Sequence, residues 1–280
     1  MPWLHVDATG SVTLQGVTIM GSTNDTATPS IVVGNIGTVI VGPQSNLKGT
    51  VRVNAGGAIR VDRATVASGI DCTNGSVDVL ESTFASIDQV SQRVTKVGGT
   101  GCNISIRRSR FSHVGPMLAA SGGLVVVENN LFATTHEYAD SIWIRGVRNG
   151  SVFRYNTVVN TVQTDTGDGV ALDCDGSVEV SNSVFTYRSQ HPFTYAAGCL
   201  AKFSVFDDVA LPLPTAPIES SFHPFSSLFL NPIAGDFRLS SASPAKQAAD
   251  PTSTVTEDLD GTVRPRPAGS RADAGAFEAD

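Results

Sequence analysis

The side chains best suited to hold or process a sugar lie in three short segments in which apolar and polar residues alternate. These segments are DSIWIRG (140–146), DGVALDC (168–174) and AGCLAKF (197–203). If each forms a strand with its apolar residues inward, Arg145, Asp173 and Lys202 point outward in one file, and Trp143 lies one pleat away. An exposed tryptophan beside alternating charges suits a sugar ring lying across a sheet. The structural alternative is a ladder of surface ion pairs.

Two turns lead into the first two segments and carry further candidates. His136 and Asp140 lie in THEYAD, and Asp168 lies in QTDTGDG. Paired carboxylates act as general acid and base in glycoside hydrolysis when they are held at the right separation. A lyase would instead need carboxylate-bound calcium and an Arg or Lys base. The alternative is that Asp and Gly only form turns.

These residues define two sets of predictions. The candidates for catalysis are Asp173, Arg145, Lys202 and Asp168. The candidates for carbohydrate binding are Trp143, Arg145, Asp173, Lys202, His136 and Asp140.

A repeat that runs through most of the chain predicts the elements that position these groups. Its template is an apolar residue at i, another at i+2 and a bulky apolar residue at i+7. Members include Val12/Leu14/Ile19, Ile59/Val61/Val66, Val77/Val79/Phe84, Ile104/Ile106/Phe111, Val125/Val127/Phe132, Ser151/Phe153/Val158 and Val178/Val180/Phe185. Such short units leave no room for a crossover helix, so strands of successive units must stack on one another. An equal separation in the sequence between Asn130, Asn156 and Asn182 predicts a ladder of side-chain amides along the stacked coils.

The segments VDVLESTF, VVVENNLF and VEVSNSVF resemble the coil repeat of the pectate-lyase-like, right-handed parallel β-helix proteins, over roughly residues 10–207. The resemblance implies an all-β right-handed parallel β-helix solenoid. It also implies that any enzymatic site lies in a groove along the outside of one sheet. The coil motif is degenerate, so it indicates a fold and leaves the activity open.

After Phe206 a Pro-rich connection leads to a second pattern. GDFRL, SPA, DLDG, RP and DAGAFE follow one another between residues 235 and 278. This order resembles the C-terminal segment of many bacterial exported β-helix proteins, where it often precedes a surface anchor. We therefore divide the chain into coils at 1–207 and a connection with a C-terminal cap at 208–280. Phe225, Leu228, Phe229, Phe237 and Leu239 are expected to cover the open end of the last coil.

Charge and cysteine content exclude several classes of function. The net charge of −7 argues against nucleic-acid binding, and no apolar run is long enough to span a bilayer. Cys72, Cys102, Cys174 and Cys199 lack metal-ligand spacing, and three disulfide pairings or free thiols remain open. No metal site or cofactor is predicted. The carboxylates of DLDG are expected to hold turns, with bound calcium as the alternative.

The sequence thus predicts a monomeric, exported or cell-surface bacterial protein that contacts extracellular polysaccharide through a lateral face of the solenoid. The first alternative is a polysaccharide-degrading enzyme, a lyase or a glycosidase acting on an acidic glycan. The second alternative is a structural stalk or adhesin.

Overall fold

Short strands stack into three parallel sheets, and over most of the chain each coil contributes one strand to each sheet. The computed structural model describes residues 4–7, 9–21, 29–85, 95–112, 115–134, 142–160, 171–187, 199–207 and 219–279. Each strand pairs in parallel with the equivalent strand of the next coil. The predicted all-β parallel solenoid is therefore confirmed.

The strands are numbered in chain order, and the lists follow their spatial order among the described residues. The first sheet contains β1 (Leu4–Val6), β4 (Ile31–Val33), β7 (Val51–Val53), β10 (Ile70–Thr73), β13 (Val97–Thr100), β16 (Leu118–Ser121), β19 (Ile142–Arg145) and β22 (Asp173–Cys174). The second sheet contains β2 (Ser11–Leu14), β5 (Thr38–Val41), β8 (Ala58–Asp62), β11 (Ser76–Leu80), β14 (Asn103–Arg107), β17 (Val125–Glu128), β20 (Ser151–Arg154), β23 (Val178–Ser181) and β25 (Ala201–Lys202). The third sheet contains β3 (Thr18–Ile19), β6 (Asn46–Leu47), β9 (Thr65–Val66), β12 (Thr83–Ala85), β15 (Arg110–Ser112), β18 (Leu131–Thr134), β21 (Thr157–Asn160), β24 (Val184–Tyr187), β26 (Val205–Asp207) and β27 (Ser221–His223).

The repeat template maps directly onto the core. Positions i and i+2 point inward from the second sheet, and position i+7 points inward from the third sheet. The long gap between the first two predicted repeats holds one more coil, with Val39, Val41 and Leu47 buried. In this coil the third-sheet residue comes at i+8, because the corner contains one extra residue. That insertion hid the coil from the template.

Phenylalanines stack through the core from coil to coil. The rings of Phe84, Phe111, Phe132, Phe153, Phe185, Phe206 and Phe222 follow one another with centroids 4.5–6.1 Å apart. The third sheet supplies all of them except Phe153, which comes from β20 of the second sheet. Phe153 fills the space that the smaller Val158 leaves at the third-sheet position of its coil. The coil that matches the template least well is thus packed by a side chain from the neighbouring sheet.

The corner between the second and third sheets has the same backbone conformation in successive coils. One residue per corner has φ between +47° and +56°: Arg63, Glu81, Arg108, Asn129, Tyr155, Asn182, Phe203 and Glu219. For residues other than glycine this left-handed conformation costs about 1–2 kcal/mol. Something in each corner must therefore offset that cost.

A ladder of side-chain to backbone hydrogen bonds stabilises these corners. The residue after each of the first seven left-handed positions donates its N–H to a Ser or Asn side chain of the next coil. The donor–acceptor pairs are Ala64–Ser82, Ser82–Ser109, Ser109–Asn130, Asn130–Asn156, Asn156–Ser183, Ser183–Ser204 and Ser204–Ser220, at 2.9–3.2 Å. The predicted ladder is correct for Asn130 and Asn156 and wrong for Asn182. Asn182 occupies the left-handed position itself, and its side chain accepts from Asp250 N–H.

Two disulfides link neighbouring coils. Cys72 of β10 pairs with Cys102, which precedes β14, and Cys174 of β22 pairs with Cys199, which precedes β25. This is one of the three pairings that the sequence left open.

The C-terminal segment packs along the side of the solenoid rather than over its end. Strands β28 (Phe229–Asn231) and β29 (Asp236–Leu239) form an antiparallel hairpin. The buried residues Leu228, Phe229, Phe237 and Leu239 form one cluster with outward-facing residues of the third sheet, namely Leu131, Val159, Val184 and Val205. The predicted cap residues pack against the outer face of the third sheet, because these coils carry apolar residues on both faces of that sheet. The parallel ladder also continues to β27, beyond the predicted boundary at residue 207.

Motif residues of this segment form a buried polar network. The Arg264 guanidinium pairs with Glu278 at 3.3 Å and donates to the carbonyl oxygens of Asp273 and Gly275. Glu278 accepts the N–H groups of Arg266 and Asp273. Burial raises the pKa of Glu278, although the charge of Arg264 acts in the opposite direction.

The DLDG turn is held by Asp258, whose carboxylate accepts the N–H groups of Asp260, Thr262 and Glu278. The prediction that the carboxylates of DLDG hold turns is confirmed for Asp258. Asp260 instead pairs with Arg110 of the solenoid.

The segment contacts the coils closely at two points. Gly275 has φ +94°, and a Cβ there would lie 2.8 Å from Thr157 Oγ1 and from Val184 Cγ2, so a larger residue would push the segment away. Tyr155 is fully buried beneath Arg264, whose guanidinium carbon lies 4.5 Å from the ring centroid. Burial raises the pKa of Tyr155 above its ordinary value of 10.0.

We predict that Asn156→Ala lowers the free energy of unfolding by about 2–5 kcal/mol. The change leaves the buried Asn130 N–H and Val127 carbonyl without their partners, at about 1–3 kcal/mol each. Asn156→Ser keeps an acceptor of the kind found in adjacent coils and should lose clearly less. If urea unfolding shows the same loss of free energy of unfolding for Asn156→Ser as for Asn156→Ala, the hydrogen-bond ladder does not stabilise the corner.

The second prediction concerns alkaline pH. Because folding raises the pKa of Tyr155, its contribution to stability is present below pH ~10 and is lost as pH rises through the folded-state pKa. Tyr155→Phe keeps the ring under Arg264 and removes this titration. Urea unfolding above pH ~10 should therefore show a steeper loss in the wild type than in the variant. If the free energy of unfolding falls equally with pH in the wild type and in Tyr155→Phe, ionisation of Tyr155 does not destabilise the folded state.

Candidate functional site

The outer face of the first sheet carries an aromatic residue at the end of a row of small residues. Trp143 of β19 is in register with Ala119 of β16, which is in register with Gly98 of β13. Asp71 of β10 lies beyond Gly98, and Asp173 of β22 lies on the other side of Trp143. The half-exposed indole therefore lies between a carboxylate and a low, flat surface.

A second row runs beside the first and carries hydroxyl groups. Thr73, Thr100 and Ser121 occupy equivalent outward positions of β10, β13 and β16, and the row ends at Arg145 of β19. Sequence reasoning missed these residues, together with Gly98 and Ala119. Aligning the strands in sequence could have identified them, since each occupies the same strand position as Trp143 or Arg145 in an earlier coil.

Arg145 and Asp173 form a close ion pair on this face. Arg145 Nη2 lies 2.6 Å and 2.7 Å from the two carboxylate oxygens, and Nε lies 3.0 Å from Oδ1. The Arg145 side chain is 46% exposed and that of Asp173 is 14% exposed. The guanidinium carbon of Arg145 is 6.0 Å from the Trp143 ring centroid. The structure thus brings together three of the predicted residues.

Their register differs from the prediction. Asp173 is aligned with Trp143 rather than with Arg145, and Cys174 is aligned with Ile144. The predicted single file is therefore wrong by two residues, and Arg145 reaches Asp173 diagonally. The connection between β21 and β22 is long, so equal spacing from coil to coil did not hold here.

Lys202 lies on a different sheet. AGCLAKF was predicted to stack on the first sheet, but its strand β25 pairs with β23 of the second sheet, with Lys202 aligned with Ser181. Cys199, Ala201 and Phe206 fit the i, i+2, i+7 template, which would have assigned this segment correctly. Lys202 lines a separate depression of about 320 Å³ with Glu179.

The turn after β19 fixes the position of the Arg145 end of the strand. Asp175 Oδ2 accepts Gly146 N–H at 2.7 Å, and Oδ1 accepts Ser177 N–H at 3.0 Å. Burial of Asp175 acts to raise its pKa, but hydrogen bonds from Ser177 and Gly146 and the charge of Arg145 outweigh it. The net result is a lowered pKa. Asp175 is thus a negatively charged turn ligand that ties one coil to the next.

The remaining predicted residues lie outside the described residues. His136 and Asp140 belong to the connection between β18 and β19, and Asp168 belongs to that between β21 and β22. Both connections run from the third sheet to the first. Binding and catalytic residues are disproportionately found on loops that a rigid scaffold positions.

Both oxygens of Asp173 accept hydrogen bonds from Arg145, which fixes the orientation of the two side chains. Within the described ranges, no three His, Cys, Asp or Glu side chains meet as a metal site requires.

The sequence matches no protein-family model and no curated protein. No helix in the described part of the chain is long and apolar enough to cross a membrane.

Proposed function

We propose that the protein binds polysaccharide through the outer face of its first sheet. The observation that carries the proposal is the half-exposed Trp143, which lies beside the Arg145–Asp173 pair at the end of a flat row of small residues. An indole face packs against the C–H groups of a sugar ring, while a guanidinium and a carboxylate donate to and accept from its hydroxyl groups. Gly98 and Ala119 leave space for further sugar units along the sheet.

We also propose that the protein is exported or attached to a bacterial cell surface. Two disulfides favour an oxidising compartment. The ordered motifs of the C-terminal segment support a relation to exported, pectate-lyase-like β-helix proteins, in which a surface anchor often follows. In the structure these motifs hold a folded segment against the coils, which agrees with a structural unit rather than a linker.

Trp143→Ala is expected to weaken binding of the recognised polysaccharide by roughly 2- to 12-fold, if the indole–sugar contact contributes as much as an aromatic pair, about 0.5–1.5 kcal/mol. A glycan array would identify the polymer, and isothermal titration would measure the affinity. Trp143→Phe keeps an aromatic face and should retain most of the affinity.

Lys202→Ala provides a matched control, because Lys202 lies on another sheet. Unchanged affinity in Trp143→Ala, or an equal loss in Lys202→Ala, would contradict the assignment of this face. New reducing ends or an unsaturated product during incubation would instead support the enzymatic alternative.

A further inference from the structure

A second recess lies where the C-terminal segment crosses the ends of second-sheet strands. Its volume is about 320 Å³, and residues 254–257 form one wall. The opposite wall consists of side chains from three successive coils, principally Arg107, Arg108, Glu128 and Arg154. It is separate from the Trp143 face of the first sheet, and its size is at the lower end for a small-molecule site.

The strand register sets the spacing of the charges in this recess. Arg107 at the end of β14 is aligned with Glu128 of β17, which is aligned with Arg154 of β20. The two arginines are therefore two strand spacings apart, about 9–10 Å at the backbone. Both side chains line the same recess, so they approach one bound group from two sides.

The carboxylates in and near the recess compensate two of its three guanidinium groups. Arg108 pairs with Glu81 through one terminal nitrogen and with Glu257 through the other. Arg154 pairs with Glu128 through Nε at 2.6 Å. Among the described residues, none pairs with the exposed Arg107 side chain. Among the described residues, Arg107 is therefore the guanidinium of this recess that has no carboxylate partner.

The free hydrogen-bond donors point to the class of ligand. A guanidinium offers five N–H donors in a fixed planar arrangement. Arg154 uses only its Nε–H in the hydrogen bond to Glu128, so the N–H groups of its two terminal nitrogens remain available to a ligand. No described residue accepts a hydrogen bond from the Arg107 side chain. Paired donors of this geometry match the oxygen atoms of carboxylate, sulfate or phosphate.

The wall opposite the arginines is held in place before any ligand binds. The carbonyl oxygen of Glu257 accepts a hydrogen bond from Asn129 Nδ2 at 2.7 Å, and that of Thr256 accepts from Arg264 N–H at 2.8 Å. Arg264 in turn belongs to the buried network with Glu278. A preformed wall reduces the conformational entropy that binding would otherwise cost.

We propose that this recess binds an oxyanion, held between Arg107 and Arg154, and that its natural source is the anionic group of an acidic sugar. The N–H donors that remain available on Arg107 and Arg154 give the contact its position. The proposal is independent of the Trp143 face. It assigns a second contact, of different chemistry, on another side of the solenoid.

Isothermal titration of the full chain at constant ionic strength tests the site. The probes are glucuronate, glucose 6-sulfate, inorganic sulfate, inorganic phosphate and neutral glucose. We expect the anionic probes to bind and glucose not to bind. Arg107→Gln and Arg154→Gln should each weaken binding at least 5-fold, whereas Trp143→Ala should leave it unchanged.

Arg148→Gln is the matched control, because Arg148 is an exposed arginine away from the recess and the substitution removes the same charge. Tighter binding of the sugar-linked anions than of the inorganic ions supports a glycan as the source, and equal binding supports a free oxyanion. Loss of affinity in Arg148→Gln equal to that in Arg107→Gln would overturn the proposal. Absence of binding by every anionic probe would overturn it as well.

Discussion

The corner between the second and third sheets is the constraint on which the rest of the structure depends. At each corner one residue takes a left-handed conformation, and the next residue turns its N–H away from the strand ladders. That N–H needs a buried acceptor, which a Ser or Asn side chain of the following coil supplies. Because the acceptor must lie directly over the donor, this bond fixes the register between coils.

Fixed register explains the packing inside and the chemistry outside. Inside, it brings phenylalanine over phenylalanine and valine over isoleucine or valine, so that a simple repeat builds one continuous core. Outside, it lines up small residues before Trp143 on the first sheet and alternates Arg107, Glu128 and Arg154 on the second. Both candidate binding surfaces are therefore products of residues far apart in sequence and one or two coils apart in space.

The repeat could be predicted from sequence because the core demands the same residue types at the same spacing in every coil. The coil with Val39 and Val41 lies within a gap of about two repeat lengths, and it does not match the template because one inserted residue changes the spacing. Lys202 was assigned to the wrong sheet because strands of the first and second sheets show the same alternation of inward apolar residues. The residue that distinguishes them, Phe206 at position i+7, lies beyond the segment 197–203.

The location of the C-terminal segment could have been predicted from a signal that was overlooked. Pairs of adjacent apolar residues occur in the covered strands, as in Leu131-Phe132, Val184-Phe185 and Val205-Phe206, and they indicate a strand buried on both faces. Earlier coils have a polar residue in the outward position, as in Thr65-Val66 and Thr83-Phe84. The recess at Arg107 and Arg154 could not be predicted, since it exists only where the segment crosses the coils.

Native-state hydrogen exchange tests whether the corner ladder fixes the coil register. We expect the N–H groups of Ser109, Asn130, Asn156 and Ser183 to exchange only through global unfolding, with the same protection as the core strands. Exchange of these four groups at the rate of exposed turn amides, while the strands stay protected, would contradict it.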